Sequence, residues 1–218
     1  MSGSHHAPAA YPALQPGLAK DALAEALIAR FGLVRDAADA WDLTLRVSRE
    51  RLVEVVTALR DDAAWRFDTL LDLAGVDYLS YPGHADARFG IIYGFKSTVF
   101  KHRLKLKVLL EEDDAVVPSL HNVYKIADWL EREVFDQYGV TFTGHPNLKR
   151  LLNHHEFVGH PLRKDYPCQK RQKLSMNDPL IDQMEARLSA LGYTVLDRGE
   201  AIIAEGITVK KSAEGSAK

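Results

Sequence analysis

Alternating apolar and polar residues in the middle of the chain predict two β-strands. Apolar side chains occupy every second position from Phe89 to Phe95, and again from Leu104 to Val108, where cations separate them. A period of two residues places the apolar side chains on one face of a strand and the polar ones on the other. The two segments therefore predict antiparallel strands with one packed face and one solvated face.

Segments before this hairpin combine helical and strand periodicity. Residues 18–31 have apolar side chains on neighbouring turns and are followed by Gly32, which predicts an amphipathic helix and its end. Residues 41–47 alternate and predict a short strand. Ser48 is the expected N-cap of a second helix that ends near Leu59.

The predicted fold is α+β: a small, mainly antiparallel sheet flanked by helices, with an extended C-terminal arm. Residues 67–78 are apolar without a clear period, and we interpret them as a short helix that leads into a strand. The predicted domains are a mobile leader over 1–17, an α+β core domain over 18–153, an extended basic arm over 154–178, a C-terminal helix with two short strands over 179–205, and a tail over 206–218.

A third helix is predicted over residues 120–138, with a carboxylate on its apolar face. The apolar residues at helical spacing are Leu120, Val123, Tyr124, Ala127, Leu130, Val134, Phe135 and Tyr138. Glu131 falls in the middle of this face. Because a buried carboxylate without a partner costs several kcal/mol, we expect a fixed cation beside it, and Arg150 and Arg163 are the candidates.

The opposite face of this helix is charged and contains one large aromatic residue. It carries Lys125, Trp129, Arg132, Glu133 and Asp136. Arg132 and Asp136 stand one turn apart and are expected to pair. A tryptophan among charges is compatible with a solvated face, but Trp and Arg are enriched in interfaces. From composition alone, an interface with another subunit and a solvated surface are equally supported interpretations of this face.

Composition excludes several kinds of function. The chain has 218 residues, a formal net charge of -2 and 46% hydrophobic residues, which is ordinary for a soluble protein with a core and calls for no nucleic acid or membrane partner. Cys168 is the only cysteine, so an iron–sulfur cluster or a structural zinc site cannot be held in the usual way. The glycine-rich phosphate-binding motifs are missing. We therefore expect no catalytic, cofactor-binding or metal-ligating residue on this chain.

Two alternatives follow from the loop chemistry. A zinc hydrolase is suggested by His155, Glu156 and His160, but these histidines are five residues apart, whereas a helical zinc motif needs four. His145, His154 and His160 remain a set that could meet in three dimensions. Residues 163–173 carry five cations and one aspartate, which fits either nucleic acid or a basic arm on an acidic partner surface. We favour the protein partner because the rest of the chain is net acidic and no recognised RNA- or DNA-binding module appears in it.

Two blocks of residues carry a family resemblance. The first reads Glu131-Arg132-Glu133-x-x-Asp136, then Gly139, Phe142, Gly144-His145-Pro146, Leu148-Lys149 and Leu151-Leu152. The second reads Gly159-His160-Pro161-Leu162-Arg163-Lys164-Asp165-Tyr166-Pro167. In this order they resemble the signature of the C subunit of the proton-translocating NADH-quinone oxidoreductase, bacterial respiratory complex I. Upstream, Asp72 and Val76-Asp77-Tyr78 also follow the family's order. Gln137 departs from the family, which tends to have two apolar residues after the aspartate.

The resemblance implies a non-redox scaffold in the peripheral arm of that complex, on the cytoplasmic side of the bacterial inner membrane. The chain would contact the D subunit, which forms the quinone pocket with the B subunit, while flavin mononucleotide and iron–sulfur clusters would belong to partner subunits. The equivalent subunit of a membrane-bound hydrogenase or formate hydrogenlyase is the alternative. The signature or interface residues are Trp129, Glu131, Arg132, Glu133, Asp136, His145, Arg150, Arg163, Lys164, Asp165 and Tyr166.

Overall fold

The computed structural model of the chain describes residues 19–36, 43–82, 87–167, 172 and 179–192. The helices are α1 (Lys20–Phe31), α2 (Leu52–Asp61), α3 (Ala127–Tyr138) and α4 (Pro179–Ala190). The strands are β1 (Val34–Arg35), β2 (Thr44–Arg46), β3 (Thr69–Asp77), β4 (Phe89–Lys96), β5 (Arg103–Leu110), β6 (Val116–Pro118) and β7 (Thr141–Thr143). The predicted leader, the two short strands after α4, the tail and Cys168 lie outside the described residues.

Five strands form the main sheet in the order β1-β2-β5-β4-β3. Every pairing is antiparallel except the parallel pair of β2 and β5. The β4–β5 register joins Phe89 to Leu110 and Lys96 to Arg103, which confirms the predicted hairpin. The α+β fold class is also confirmed, since helices flank this mainly antiparallel sheet. Strands β6 and β7 form a separate parallel pair.

The core lies on one side of the main sheet, its inner face. The inward side chains of β4 and β5, such as Tyr93 and Leu106, are fully buried and share one cluster with Leu27 of α1, Val56 of α2 and Val134 of α3. The opposite side, the outer face, carries the alternate positions of the strands. Its residues are Val34, Thr44, Arg46, Thr69, Asp72, Ala74, Val76, Gly90, Ile92, Gly94, Lys96, Arg103, Lys105, Lys107 and Leu109.

Lys107 departs from the solvated outer face that the alternation predicts. It is only 7% exposed, its Nζ lies 3.2 Å from Asp36 Oδ2, and it stands 4.7 Å from the centre of the Tyr78 ring. The carboxylate and the aromatic ring together replace the water that the ammonium group loses. One end of the outer face is therefore covered by the chain itself.

In residues 67–78 the predicted strand is confirmed, but the short helix predicted before it is wrong. Strand β3 runs from Thr69 to Asp77 and pairs with β4 along its whole length. A register shift between Leu70 and Asp72 interrupts the alternation, because an extra residue in one strand changes which face the following side chains take. The bulge explains why the apolar period in this segment is ambiguous.

Two helix starts differ from the predicted ones. Ser48 makes no side-chain cap, and a 3-10 turn at Arg49–Arg51 comes before α2. Helix α3 begins at Ala127, whereas residues 120–124 form turns in which the N–H of Tyr124 donates to the carbonyl of Leu120. Helix α1 ends as predicted, with Gly32 in the left-handed conformation at φ 63°. No helix in the described ranges is long and apolar enough to cross a membrane.

Candidate functional site

Asp136 of α3 is fully buried and binds the segment that follows β7. Its Oδ2 accepts the backbone N–H groups of Leu151, Leu152 and Asn153 at 3.1, 2.8 and 2.8 Å. Its Oδ1 lies 2.6 Å from Nη1 of Arg150. The predicted pair of Arg132 and Asp136 is therefore wrong, because Asp136 points inward and its oxygens are occupied by the loop.

The hydrogen bonds at Asp136 favour its charged form. Burial alone would raise the pKa of this carboxyl, but the N–H of Asn153 and the guanidinium of Arg150 more than offset that effect and hold the pKa well below its ordinary value. A carboxylate that accepts several N–H bonds and one cation is stabilised as an anion. The side chain is therefore a fixed negative charge inside the fold.

Glu131, near the middle of the same helix, is fully buried with a different set of partners. Its Oε2 accepts the hydroxyl of Ser119 at 2.6 Å and its Oε1 accepts the N–H of Leu120 at 2.6 Å. The predicted cation, Arg150 or Arg163, is wrong: Arg150 pairs with Asp136, and no cation of the described segments forms a salt bridge with Glu131. Burial raises the pKa of Glu131, and its two hydrogen bonds offset this only in part.

We expect the change Glu131→Gln to leave the chain folded and to raise its unfolding free energy by no more than about 1 kcal/mol at pH 8. The amide oxygen keeps an acceptor for the N–H of Leu120, and the new N–H₂ group can donate to Ser119 Oγ, which now donates to Oε2. Because the pKa of Glu131 is raised in the folded chain, its charge opposes folding above the ordinary value of 4.5. Urea unfolding at pH 5 and pH 8 should show the advantage of the Glu131→Gln variant growing with pH. A lower unfolding free energy of the Glu131→Gln variant at pH 8 would contradict the conclusion that Glu131 has no cationic partner.

Residues 144–167, here called the signature loop, contain no helix or strand and end against the last turn of α3. Arg163 donates from Nε to the carbonyl of Tyr138 at 2.6 Å, and the N–H of Leu162 donates to the carbonyl of Gln137 at 3.1 Å. A ring nitrogen of His160 lies 3.0 Å from the carbonyl of Asp136. These contacts satisfy carbonyls that a helix end leaves without an intrahelical partner.

Gly139 permits this close approach. It ends α3 in the left-handed conformation at φ 78°. A Cβ placed there would stand 2.6 Å from the ring of His160 and 2.7 Å from Nη2 of Arg163. Any other residue would therefore be strained and would also push the signature loop away from the helix.

A second buried acid holds the far end of the signature loop. Asp77, at the end of β3, has a fully buried side chain and accepts the N–H of Lys164 at 2.8 Å. Arg88 lies beside it, with Nη2 3.2 Å from Asp77 Oδ2 and 2.9 Å from Asp165 Oδ1, and it also pairs with Glu112. Burial would raise the pKa of Asp77, but the bonds from Arg88 and Lys164 lower it overall.

Asp77 and Arg88 are the main anchors that sequence reasoning missed. The sequence places Asp77 only in the upstream part of the family resemblance, and no pattern singles out Arg88. A carboxylate at an inward position of a strand is the available signal, because such a group needs a partner. The arginine next to Phe89, at the start of the facing strand, is the first candidate for that partner.

The remaining signature residues lie in several environments. Trp129 is 56% exposed, and the guanidinium of Arg132 lies 5.0 Å from its ring centre. Arg132 also donates to the carbonyls of Lys149 and Arg150, both at 3.1 Å. Glu133 is exposed. Trp129 and Arg132 therefore form an exposed aromatic–cation pair on α3, next to the signature loop.

The loop histidines bind separate backbone atoms. The side chain of His145 is fully buried, and its Nε2 lies 3.1 Å from the carbonyl oxygen of Asp128. Tyr166, another signature residue, stacks on Phe157 with the ring centres 5.8 Å apart. Within the described part of the chain, no group of three or more His, Cys, Asp or Glu residues could hold a metal ion. The candidate zinc set of His145, His154 and His160 is not brought together there.

The fold and these contacts define a class of α+β domain in which two buried aspartates fix a long loop against a helix and a sheet. A family model described as "Respiratory-chain NADH dehydrogenase, 30 Kd subunit" matches residues 45–172, which contain all of these contacts. The chain belongs to this family, whose curated members include the C subunit of NADH-quinone oxidoreductase.

Similar proteins agree with this assignment. The NADH-quinone oxidoreductase C subunit of Caulobacter vibrioides is 43% identical over 163 residues, which cover 74% of this chain and 80% of that protein. The C subunit of Mesorhizobium japonicum is 47% identical over 146 residues, covering 66% and 69%. Among solved structures, the trypsin-resistant fragment (1-134) of Nqo5 matches with a TM-score of 0.52 and 30% identity, over 59% of this chain and 98% of the fragment.

The fold also occurs in a more distant assembly. A chain of the membrane-bound sulfane sulfur reductase, described as an archaeal respiratory membrane complex, matches with a TM-score of 0.55 over 83% of this chain and 97% of that chain. At 17% identity this likeness shows the fold alone.

Proposed function

We propose that this chain is a non-redox scaffold subunit in the peripheral arm of an NADH-quinone oxidoreductase. In this role it holds the quinone-site and iron–sulfur subunits in place while the complex couples NADH oxidation by quinone to ion translocation. The observation that supports the proposal is that charged signature residues bind the backbone of their own chain. Glu131, Arg132 and Asp136 each hydrogen-bond to backbone groups of their own chain.

Such contacts shape a surface and do not present reactive groups. Asp136 fixes residues 150–153 of the signature loop, Arg163 fixes the later part on α3, and Asp77 fixes it on the sheet. Together they bind the loop at points from Arg150 to Lys164. A loop held at several points loses little further conformational entropy when a partner binds it. A rigid surface of this kind suits a subunit that sets the relative positions of its neighbours.

The proposed partners are the D and B subunits and the other peripheral-arm subunits. Flavin mononucleotide and the iron–sulfur clusters are assigned to those partners, and the location to the cytoplasmic side of the bacterial inner membrane. Trp129 and Arg132 are the proposed centre of one interface with a partner, because an exposed tryptophan stacked on an arginine is typical of interface hot spots.

The proposal is tested by tagging the full chain in its host, solubilising the membranes gently and identifying the recovered proteins by mass spectrometry. Recovery of the flavin and iron–sulfur subunits at stoichiometric amounts is expected. Recovery of the chain alone from the soluble fraction would refute the scaffold role. Stoichiometric flavin, cluster or metal on the purified chain itself would also refute it.

We expect Trp129→Ala to reduce recovery of the partner subunits by at least about fivefold, because truncation of a hot-spot tryptophan removes a large, dehydrated contact. The unfolding midpoint of the isolated chain should change little, since the side chain is more than half exposed. Leu71→Ala, which truncates an apolar residue that is 48% exposed on β3, serves as the control. Turnover per assembled complex should be unchanged. Normal recovery with Trp129→Ala would show that this pair lies outside the contact.

A further inference from the structure

The outer face of the main sheet is rich in cations. Its positively charged positions are Arg46, Lys96, Arg103, Lys105 and Lys107, and the carboxylate among its described positions is Asp72. Asp36, in the turn after β1, adds a second carboxylate beside Lys107 and Arg46. The described surface therefore has more positive than negative charge, although the whole chain has a formal net charge of -2.

Two pairs of like charges stand directly opposite each other on this face. Arg46 of β2 is the register partner of Lys107, and Lys96 of β4 is the register partner of Arg103. Like charges at facing positions of a sheet repel and destabilise it. Asp36 relieves the first pair, since it lies 3.3 Å from Arg46 and 3.2 Å from Lys107.

For the second pair, the described residues supply no such carboxylate. In the described ranges of the chain, neither Lys96 nor Arg103 forms a salt bridge with a carboxylate. Arg103 is exposed and Lys96 is half-buried, so both can be reached from outside. Gly94 lies between the two like-charge pairs and carries no side chain, and the atoms nearest to a Cβ placed there would be those of Asp72, at 3.8 Å.

We propose that the Lys96–Arg103 end of the outer face binds an acidic segment of a neighbouring protein in the complex. The assignment rests on the proposed function, because it requires that the chain work within a complex. Carboxylates from a partner would supply the counter-charge that the described part of the chain does not place there. A protein partner fits better than nucleic acid, because this end of the face offers the two cations Lys96 and Arg103, whereas a nucleic-acid-binding surface commonly contacts about 6–10 phosphates.

The change Arg103→Glu separates folding from binding. In the isolated full chain it places a carboxylate opposite Lys96, so the unfolding midpoint should rise. In the tagged complex it places a negative charge against the acidic partner, so recovery of partner subunits should fall roughly tenfold. Adding Lys96→Glu restores a like-charge pair, and the midpoint should return toward the starting value while recovery stays low.

The matched control is Arg66→Glu, which reverses an exposed arginine in the turn before β3. It should leave recovery unchanged. Normal recovery with both Arg103→Glu and the double variant would overturn the assignment while the proposed function still stands. Binding of the purified chain to RNA or to phosphatidylglycerol vesicles, abolished by Arg103→Glu while assembly is intact, would overturn it in favour of that ligand. Failure of the unaltered chain to recover any partner would overturn both proposals.

Discussion

Asp136→Asn is expected to lower the unfolding free energy of the chain by about 3–5 kcal/mol, the usual cost of removing one partner from a buried ion pair. If the amide oxygen takes the place of Oδ2 and accepts the N–H groups of residues 151–153, the amide N–H₂ group replaces Oδ1 and meets the Arg150 guanidinium, donor against donor. Arg150 also loses its counter-charge. Urea unfolding of the purified chain at pH 7 measures the loss. We also expect the signature loop to become sensitive to proteolysis, because its residues 150–153 are fixed through this carboxylate.

The control lies on the same helix. Glu133→Gln replaces a carboxylate by an amide at an exposed position, and it should alter the unfolding free energy by no more than about 0.5 kcal/mol. If Asp136→Asn cost no more than this control, the carboxylate would not be the anchor of the loop. If both Asp136→Asn and Glu133→Gln lowered the unfolding free energy by several kcal/mol, the cause would be a general effect of removing negative charge from α3.

The two buried acids of α3 should respond to pH in opposite ways. The pKa of Asp136 is lower in the folded chain than its ordinary value of 3.8, so its stabilisation is complete above that value and is lost as pH falls through the folded pKa. The pKa of Glu131 is raised, so protonation favours folding at that position. The stability difference between the unaltered chain and Asp136→Asn should therefore shrink only at acid pH, below about 4.

Much of the fold follows from local periodicity. The hairpin of β4 and β5 can be predicted because its inward residues alternate without interruption, with Phe89 and Leu110 in register at one end. Helix α1 can be predicted because an apolar face is followed by Gly32. The start of strand β3 cannot, because a bulge after Leu70 disturbs its alternation, and nothing local distinguishes a bulged strand from a short helix.

The site depends on contacts that lie outside the helix. Periodicity places Glu131 inside and Asp136 outside, because a helical projection describes one element and not what packs on it. The signature loop covers the side of α3 that carries Asp136, and it supplies Arg150 to that carboxylate. Ser119, which satisfies Glu131, comes before the helix and carries no charge, so a search for a cationic partner misses it.

Arg88→Ala is the second change with a large expected effect, also about 3–5 kcal/mol of unfolding free energy. The guanidinium is 9% exposed and pairs with Asp77, Glu112 and Asp165, of which only Asp77 has a fully buried side chain. Its removal leaves the buried carboxylate of Asp77 with only N–H donors, among them that of Lys164. The loss should appear in urea unfolding and should be accompanied by release of the far end of the signature loop.

A double-mutant cycle identifies the cause. If the cost of Arg88→Ala comes from the unpaired charge of Asp77, then Asp77→Asn in the same chain should recover part of it, because no buried anion remains at this position. Pairing with the exposed Asp165 should contribute little, so Asp165→Asn alone is expected to cost no more than about 1 kcal/mol. Additive losses for Arg88→Ala and Asp77→Asn would mean that the two residues act independently, and that the sheet holds the signature loop through contacts other than this ion pair.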